Sequence, residues 1–324
     1  MKALVTGAYG FIGLNTTRML LARGYEVDCI DIVEASEMDS EGSKLLLSSN
    51  LNIRYRSIDL LEINNLDRMP TDYDFIFHFA GVLGVEHVLA DPAQTLFANS
   101  MMAWNIFQFA KRQIKLKKLF YTSTSEVYAG TLDNFTMAIP TPEETPLALS
   151  KLDSPRTSYM LSKLWGEAAL HYSQLPSFIL RPHNIYGPRM GMRHVIPQLL
   201  QKAHLNKEGE SLNVYSAMHT RAFCYIEDAI NFIEALIDVP DPSLPTVLNL
   251  GNASEEISIR SLASTILEIV GKTCLIKELS ETMGSPSRRC PDLNQIMRLS
   301  GYRPCITIND GITRTYSWYK ENVF

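Results

Sequence analysis

A tyrosine and a lysine four residues apart are the groups of this chain best suited to proton transfer. Tyr159 and Lys163 lie on one face if their segment is helical. A tyrosine of ordinary pKa, about 10, is a poor base at neutral pH, and a shift to about 7 requires roughly 4 kcal/mol of preferential stabilisation of the phenolate. A neighbouring ammonium group contributes such stabilisation. Taken alone, the pair is more often part of an amphipathic helix surface, so its interpretation depends on the other motifs.

A glycine-rich turn near residue 10 is the strongest of these motifs. It follows the apolar run Ala3 to Thr6, and a side chain at any of its glycines would obstruct the turn, a ligand or the packing of the next helix. The helix that follows directs its positive end at phosphate groups. We therefore predict a dinucleotide site here instead of a plain turn between a strand and a helix. Its residues are Gly7, Tyr9, Gly10, Phe11, Ile12 and Gly13.

An acidic residue at the end of the next predicted strand indicates which dinucleotide binds. Asp31 lies 18 residues after Gly13, where an acid receives the ribose hydroxyls of the adenosine half. No arginine or lysine occurs at Ala8, Tyr9 or 32–34 to bind a 2′-phosphate. The sequence thus favours NAD over NADP as the cofactor. The positive ring of NAD adds a second charge that stabilises a phenolate, and this context makes the tyrosine–lysine pair a candidate catalytic pair.

Hydroxyl groups and a carboxylate follow the fifth predicted strand, between Tyr121 and Tyr128. Residues at the carboxyl ends of parallel strands face the ligand crevice of an open sheet. There the hydroxyl of Thr124 can hold a sugar hydroxyl, and Glu126 can remove a proton. The alternative is an ordinary serine and threonine turn that ends the strand.

The elements that must position these groups alternate between strands and helices. This order predicts an α/β fold, a Rossmann-type doubly wound parallel sheet with a smaller, interleaved C-terminal substrate lobe. We predict an NAD-binding domain at 1–180 and a substrate lobe at 181–324, with 221–250 partly returning to the first domain. The predicted strands are Ala3 to Thr6, Glu26 to Ile30, Ile53 to Ile58, Phe75 to Phe79, Lys118 to Thr122, Phe178 to Arg181, Leu212 to Tyr215 and Val247 to Leu250, and the predicted helices include Phe11 to Arg23, Thr95 to Lys111, His194 to Leu205, Glu227 to Ile237 and Ile259 to Val270.

Composition and charge argue against several classes of protein. The chain has 324 residues, 46% of them hydrophobic, and a net charge of −5, which argues against a nucleic-acid surface. Its five cysteines are widely spaced and form no C-x-x-C pair, and its seven histidines show no metal-ligand spacing. We expect no disulfide framework, no metal, no membrane span and a location in the reducing cytoplasm.

Two segments bear on assembly and on substrate access. The predicted helix Thr95 to Lys111 is apolar on several faces and needs burial beyond one sheet. We expect it to form a homodimer interface with the helix that carries Tyr159, and burial within one subunit is the alternative. Residues 131–155 are rich in proline, threonine, serine and glutamate, which predicts a long loop that serves as a lid or a substrate wall.

Together these motifs resemble those of the extended short-chain dehydrogenase/reductase family, the NAD-dependent nucleotide-sugar epimerases, dehydratases and decarboxylases. The likeness runs nearly end to end. Thr124, Tyr159 and Lys163 match the catalytic triad of that family, and 181–189 matches its post-catalytic segment. The resemblance implies further cofactor contacts at Asp31, Asp59, Leu60, Phe79, Ala80, Gly81, Asn99 and Thr122, and substrate contacts at Ser125, Asn184, Arg221 and Arg289. The last two arginines stand where family members bind the nucleotide diphosphate. Arg193 and His194 enter a predicted helix of the substrate lobe, where either is a candidate contact for a carboxylate or a phosphate; the favoured alternative is that both are surface residues.

The resemblance also implies a mechanism. Tyr159, as a phenolate, takes the proton of a sugar hydroxyl at carbon 4 while carbon 4 delivers a hydride to NAD; Thr124 orients that hydroxyl and Lys163 lowers the tyrosine pKa. Epimerisation, decarboxylation or dehydration of the 4-keto sugar follows. The triplet from Thr124 to Glu126 resembles that of uronate decarboxylases and of some 4,6-dehydratases, with Glu126 acting at carbon 5. A UDP-hexuronate decarboxylase is therefore one specific candidate, and all three outcomes stay open.

Two other functions are alternatives. One is a net NADH-dependent reductase that releases its cofactor, and the other is a non-catalytic NAD-sensing module, against which the intact tyrosine–lysine pair argues. Two departures from the family pattern concern the substrate. The loop between Thr124 and Tyr159 is longer than is typical, and residues 215–219 stand where glycines commonly occur.

Overall fold

A computed structural model describes residues 1–207, 209–281 and 286–324, and at Val85 it describes the backbone only. The strands in chain order are β1 (Lys2–Thr6), β2 (Glu26–Asp31), β3 (Ile53–Ser57), β4 (Phe75–His78), β5 (Lys118–Thr122), β6 (Ser177–Pro182), β7 (Ile185–Tyr186), β8 (Leu212–Tyr215), β9 (Thr220–Ala222), β10 (Cys224–Tyr225), β11 (Thr246–Leu250), β12 (Glu256–Ser258), β13 (Ile276–Leu279) and β14 (Arg288–Arg289). The helices are α1 (Phe11–Ala22), α2 (Ser40–Leu46), α3 (Val85–Ala90), α4 (Pro92–Lys111), α5 (Ala129–Asn134), α6 (Pro155–Ser173), α7 (Val195–Leu205), α8 (Ile226–Asp238), α9 (Ile259–Val270), α10 (Asn294–Ser300) and α11 (Ile308–Asn322).

A seven-stranded parallel sheet with the order β11-β6-β5-β4-β1-β2-β3 forms the centre of the fold. Its strands are short apolar runs rich in β-branched and aromatic residues, and β1, β4 and β5 are buried along nearly their whole length. Strands buried on both faces need helices above and below the sheet. The strand order changes direction between β1 and β4, which opens a ligand crevice at their carboxyl ends. The predicted Rossmann-type α/β fold is thereby confirmed.

Helices α4 and α6 pack side by side on one face of the sheet. Trp104 of α4 and Trp165 of α6 meet edge to face, with ring centroids 6.2 Å apart, and both side chains are partly exposed. The inner faces of the two helices contribute to the core. The buried cluster includes Leu4, Ile30, Ile76, Ile106, Phe107, Phe109, Leu119, Tyr121, Leu170 and Ile179.

The described chain divides into two compact units. The first unit consists of residues 1–135, 146–181 and 233–248, and the second of residues 136–145, 182–232 and 249–324. Each unit is therefore built from three separate stretches of chain.

This division differs from the predicted domains at 136–145, which the sequence analysis assigned to the first domain. The physical reason is backbone pairing within the second unit. The amide of Thr141 donates to the carbonyl of Cys290, and the amide of Asp292 donates to the carbonyl of Thr141, both at 2.9 Å.

The returning segment is also shorter than the predicted 221–250. Residues 221–232 stay in the second unit and only 233–248 join the first. Asp228 explains why, because its buried carboxylate accepts the backbone amides of Cys305 and Ile306 at 3.0 and 3.1 Å.

The predicted loop at 131–155 is in part helical, because α5 extends to Asn134. Thr131 fastens this helix to the later part of the segment. Its hydroxyl donates to the carbonyl of Pro146 at 2.6 Å and accepts the amide of Ala148 at 2.9 Å. The prediction of a loop from residue 131 onward is therefore wrong at its start.

Within the described ranges, none of the helices combines the length and the apolar character that a bilayer crossing demands. The same residues include no group of three or more histidine, cysteine, aspartate or glutamate side chains placed to hold a metal ion.

Candidate active site

The glycine turn connects β1 to α1 at the carboxyl end of the sheet. Gly7 has a φ of +66°, and a Cβ atom there would lie 2.6 Å from the amide nitrogen of Ala80. A Cβ atom on Gly13 would lie 2.1 Å from the carbonyl oxygen of Gly7. Both positions therefore require glycine. Gly10 is the N-cap of α1 and has no side chain with which to cap it, so the first-turn amides of this helix form an anion site that fits the pyrophosphate of NAD.

Asp31 borders this turn at the end of β2. Its Oδ2 accepts the amide of Tyr9 at 3.0 Å, and its Oδ1 accepts the amide of Ile32 at 2.8 Å. The Tyr9 hydroxyl in turn accepts the amide of Asp39 at 2.9 Å. These bonds hold the carboxylate beside the glycine turn, the position predicted for the acid that binds a ribose.

A buried hydrogen bond fixes the start of the segment that follows β4. The side chains of Thr6 and His78 share a hydrogen bond of 2.8 Å, and the Thr6 hydroxyl also accepts the amide of Ala80 at 3.3 Å. Burial, together with the charge of Lys163, lowers the pKa of His78 to about 3. His78 is therefore neutral at physiological pH.

Asn99 of α4 fixes the end of the same segment. Its amide group accepts the backbone N–H of Val82 at 2.7 Å and donates to the Val82 carbonyl at 3.1 Å. A Cβ atom on Gly81 would lie 3.4 Å from Asn99 Oδ1 and 3.5 Å from Lys163 Nζ. Gly81 therefore borders the lysine that was predicted to be catalytic.

Thr124 is close enough to the Tyr159 phenol for its side chain to act on the pKa of that phenol. The Thr124 hydroxyl also accepts the amide of Glu126 at 3.2 Å and so caps the short 3₁₀ turn Ser125–Tyr128. Burial raises the pKa of Tyr159 above its ordinary value, the Thr124 side chain acts in the opposite direction, and the charge of Glu126 raises the pKa further. The lowering that the sequence analysis assigned to Lys163 is thus not seen in the chain by itself.

Lys163 explains this result by its position. Its ammonium is buried, donates to the carbonyl of Thr122 at 2.9 Å and lies 6.0 Å from the centre of the Tyr159 ring. Burial lowers its pKa to about 8, and the nearby carboxylate of Glu167 acts against this lowering. The group therefore carries a proton at neutral pH and can give it up in mildly alkaline solution.

Glu167 organises a buried cluster of charges behind the candidate site. It accepts two bonds from Arg181, at 2.9 Å from Nε and 2.6 Å from Nη2, and its side chain and that of Arg181 are only 6% and 4% exposed. Ser123 donates to the same carboxylate at 2.5 Å, and Arg181 donates to the hydroxyl of Tyr128 at 2.7 Å. Residues on both sides of the 124–126 triplet are thereby held in place.

Glu126 forms a second ion pair, with Arg156 of α6. Glu126 Oε2 and Arg156 Nη2 lie 3.3 Å apart. Their side chains are 25% and 37% exposed, so this pair, unlike that of Glu167, is open to solvent. Ser125, between Thr124 and Glu126, is buried.

The remaining predicted cofactor residues lie near the sheet but differ in their surroundings. The Asp59 carboxylate accepts the amide of Leu61 at 2.9 Å, whereas the Leu60 side chain is part of the core cluster and its carbonyl accepts Asn105 Nδ2 at 2.8 Å. The Thr122 hydroxyl is buried without a hydrogen-bond partner among the described residues. Its carbonyl, by contrast, holds the candidate catalytic lysine.

In the second unit, Arg221 and Arg289 stand opposite each other on the parallel strands β9 and β14. Because side chains alternate along a strand, both occupy one face of this small sheet. Arg221 donates to the carbonyls of Thr220 and Pro286, at 2.7 Å each, and these bonds orient its guanidinium. Two half-buried guanidiniums on one face provide an electrostatic basis for binding an anion.

The opposite face of the same sheet satisfies its own charges. Arg288 makes two bonds to Glu256, at 2.7 and 2.9 Å, and Thr220 donates to Glu256 at 2.7 Å. The Arg288 guanidinium lowers the pKa of Glu256 to about 2. Side chains alternate along β14, so Arg288, which is bonded to a carboxylate, lies on one face of the sheet. Arg289, which stands opposite Arg221, lies on the other face.

Two further predicted substrate residues also lie in the second unit. Asn184 has a φ of +42°, and its side chain donates to the carbonyl of Ala222 at 3.0 Å, next to Arg221. Arg193 is exposed, just before α7, and its carbonyl accepts Gln198 Nε2 at 3.3 Å. By contrast, all the candidate catalytic and cofactor residues belong to the first unit.

The sequence analysis did not single out Glu167 or Arg156. Glu167 follows Lys163 by four residues and Arg156 precedes Tyr159 by three, so helical spacing alone places both on the catalytic face of α6. That spacing was a usable signal. That spacing does not indicate the partners of Glu167. Ser123 follows β5 and Arg181 lies on β6, so both meet Glu167 only in the folded chain.

Known proteins match this chain over most of its length. A model of the NAD dependent epimerase/dehydratase family matches residues 3–251. UDP-N-acetyl-alpha-D-glucosaminuronate decarboxylase of Bacillus cytotoxicus is 28% identical over 99% of this chain and 98% of its own length. UDP-glucuronic acid decarboxylase 1 of Xenopus tropicalis is 27% identical over 99% of this chain and 73% of its own length.

A solved structure is similar over the whole chain. UDP-glucuronic acid 4-epimerase from Bacillus cereus, in complex with UDP-glucuronic acid and NAD, superimposes with a TM-score of 0.80 at 27% identity, covering 99% of both chains. The likeness thus includes the fold and extends over both compact units.

Proposed function

The chain belongs to the NAD-dependent epimerase/dehydratase family, and on this premise we propose that it oxidises the hexose of a nucleotide sugar at carbon 4 and then completes an epimerisation, a decarboxylation or a dehydration. It is an NAD-dependent enzyme of that family. The observation that carries the proposal is the buried Lys163 ammonium, held by the Thr122 carbonyl at 2.9 Å and 6.0 Å from the centre of the Tyr159 ring, in the same unit as the glycine turn.

Tyr159 is the base in this proposal. The phenol oxygen takes the proton of the carbon 4 hydroxyl, and Thr124, which accepts the Glu126 amide and lies close enough to act on the phenol, orients that hydroxyl. Bound NAD would supply the hydride acceptor for the same carbon. Lys163, charged at neutral pH and fixed by the Thr122 carbonyl, contributes positive charge that favours the phenolate.

The second step acts next to the new ketone. A ketone at carbon 4 makes the bonds at carbon 5 easier to break, and Glu126 has a carboxylate on the same short turn as Thr124. The relatives named above include decarboxylases and a 4-epimerase, which supports chemistry at carbon 4 or carbon 5 as the common feature.

We further propose that Arg221 and Arg289 bind the diphosphate of the nucleotide sugar, with Asn184 beside them. The support is the register of β9 and β14, which places both guanidiniums on one face. Planar guanidiniums make charge-assisted, often bidentate, bonds to phosphate oxygens. Ser125 and Arg193 remain proposed substrate contacts as well.

A product analysis tests the proposed reaction. NAD-loaded protein is incubated with UDP-, GDP- and dTDP-linked hexoses and hexuronates, and products are followed by mass spectrometry and NMR. Loss of carbon dioxide, loss of water and unchanged mass with altered configuration identify the three outcomes, and Tyr159→Phe is expected to lower kcat by a factor of about 10² to 10⁴. If no sugar nucleotide changes, the proposal fails, and steady consumption of added NADH would favour the reductase.

We also propose that two copies associate through the outer faces of α4 and α6. Phe97, Trp104 and Trp165 are each more than a third exposed there, a large apolar surface for a single chain. Analytical ultracentrifugation is expected to give a dimer that Trp104→Glu with Trp165→Glu converts to a monomer. A wild-type monomer at micromolar concentration contradicts it.

A cytoplasmic location is likewise proposed. Its support is the set of free cysteines, of which Cys29, Cys224 and Cys290 are buried as thiols. Cell fractionation with detection of the native protein tests it, and recovery from an oxidising compartment would contradict it.

A further inference from the structure

We propose that Arg156 recognises the carboxylate of an acidic sugar, so that the substrate is a nucleotide hexuronate and not a neutral nucleotide hexose. This inference rests on the proposed function, which places carbon 4 of the sugar at Tyr159. It assigns a role to a residue that neither the glycine turn nor the Thr124, Tyr159 and Lys163 set includes.

The position of Arg156 follows from the helix that carries the base. Arg156 stands in the first turn of α6 and Tyr159 follows three residues later, so the two side chains occupy neighbouring positions on one helix face. The Arg156 guanidinium lies 3.3 Å from Glu126, whose charge acts on the Tyr159 phenol. The ion pair therefore lies on the face of α6 that carries the base, close enough for the Glu126 charge to act on the phenol.

Exposure distinguishes this pair from the other ion pair of the site. Arg181 and Glu167 are almost fully buried and are saturated with bonds from Ser123 and to Tyr128. Arg156 is 37% exposed, so a ligand can reach it. A pair that is to accept a ligand has to remain accessible, and this one does.

The charges at this place favour an acidic ligand that brings its carboxylate to the guanidinium. In a hexuronate, the carboxylate is attached to carbon 5, next to the carbon whose hydroxyl loses its proton to Tyr159. Near Glu126 that carboxylate meets a like charge, which is unfavourable unless a cation lies between them. Arg156 supplies the cation, because a guanidinium has five donors and can bind two carboxylates at once. Lys163 does not serve, since it is buried and donates to Thr122.

A neutral hexose presents only a hydroxymethyl group at the same place. It offers the Arg156 guanidinium no charge, and it leaves the Glu126–Arg156 pair as it was. The expected discrimination therefore comes from one charge-assisted contact that only the uronate makes.

Binding to the NAD-loaded protein tests the inference separately from catalysis. Isothermal titration with UDP-glucuronate and with UDP-glucose is carried out on the wild type, Arg156→Gln and Arg156→Lys. Arg156→Gln is expected to weaken UDP-glucuronate binding by about 10- to 100-fold and UDP-glucose binding less than about twofold. Arg156→Lys should restore part of the loss, because it keeps the charge without the planar fork.

A matched control is Arg112→Gln. Arg112 is similarly exposed, at 43%, and is paired with Asp67 at 2.6 Å. It follows α4 and is not on the helix of the base, so its replacement should change neither affinity.

Three outcomes overturn the inference. The first is an equal loss of affinity for both ligands in Arg156→Gln, which would mean that Arg156 only positions Glu126. The second is a wild-type preference for UDP-glucose. The third is no binding of UDP-glucuronate by the wild type. If the wild type binds UDP-glucuronate but transforms no sugar nucleotide, the proposed function fails while the role of Arg156 in binding is still decided by its variants.

Discussion

The buried charge cluster around Glu167 and the arginine face of β9 and β14 satisfy their charges in opposite ways. Glu167 and Arg181 neutralise each other in the interior, with further bonds from Ser123 and to Tyr128. On the small sheet of the second unit, Arg221 and Arg289 stand side by side and bring two like charges to one face.

This difference separates what the catalytic unit needs from what the substrate unit needs. A base and its orienting hydroxyl must keep one geometry, and a fully bonded buried network provides it. A site for a charged ligand needs charge of the opposite sign within reach of that ligand. The first arrangement should therefore matter most for stability and the second for binding.

The largest expected effect is that of Glu167→Gln on stability. The substitution leaves the buried Arg181 charge without its carboxylate, and such a loss typically costs about 3 to 5 kcal/mol of unfolding free energy. Urea denaturation measures it. The matched control is Asp67→Asn, which breaks the exposed pair with Arg112 and should cost less than about 1 kcal/mol. Equal, small losses for both variants would show that the cluster does not hold its part of the fold.

A smaller effect is expected on binding from Arg221→Ala. Removal of one of the two guanidiniums on the arginine face should raise KM for the sugar nucleotide about 10- to 100-fold, with little change in kcat, because the contact is the same in ground state and transition state. Steady-state kinetics with the substrate identified by product analysis measures this. Arg288→Ala is the control, since Arg288 is bonded to Glu256 on the opposite face. A comparable rise in KM for Arg288→Ala would contradict the separation of the two faces.

The smallest expected effect is on the pH dependence of the unfolding free energy, through His78 of the first unit. His78 is buried with a pKa of about 3, whereas an unfolded histidine binds its proton near pH 6.5. Between these values the unfolded chain holds more protons, so the unfolding free energy falls as the pH drops from about 6.5 towards 3. His78→Asn should make this slope shallower in denaturation curves at several pH values.

The exposed His87 provides the control for this experiment. His87→Asn should leave the slope unchanged, because replacing a solvated histidine removes no buried group. An unchanged slope in His78→Asn would show that other groups cause the acid sensitivity.

Elements with local signals could be predicted from the sequence. Strand β5 and helix α9 have the bounds that were predicted, Lys118 to Thr122 and Ile259 to Val270. The helix is delimited by Ser258, which accepts the amide of Ser261 at 3.0 Å, and by Gly271 with a φ of +74°. The glycine turn lies between β1 and α1, where it was predicted, because strand, turn and helix follow one another directly in the chain.

Features that depend on distant partners could not be predicted in this way. Glu167 acquires its role from Ser123, 44 residues earlier, and from Arg181, 14 residues later. The membership of 136–145 in the second unit depends on pairing between Thr141 and the backbone around residue 291. The rise in the Tyr159 pKa likewise depends on burial, which spacing along a helix does not reveal.

Because each unit consists of three stretches of chain, one crossover cannot exchange a whole unit between related proteins. A single crossover in the gene near codon 180 would transplant 182–232 and 249–324 from a relative but would leave 136–145 behind and import a foreign 233–248. Exchange of specificity between relatives thus demands several coordinated exchanges, so point changes at individual side chains are the easier route to a new substrate.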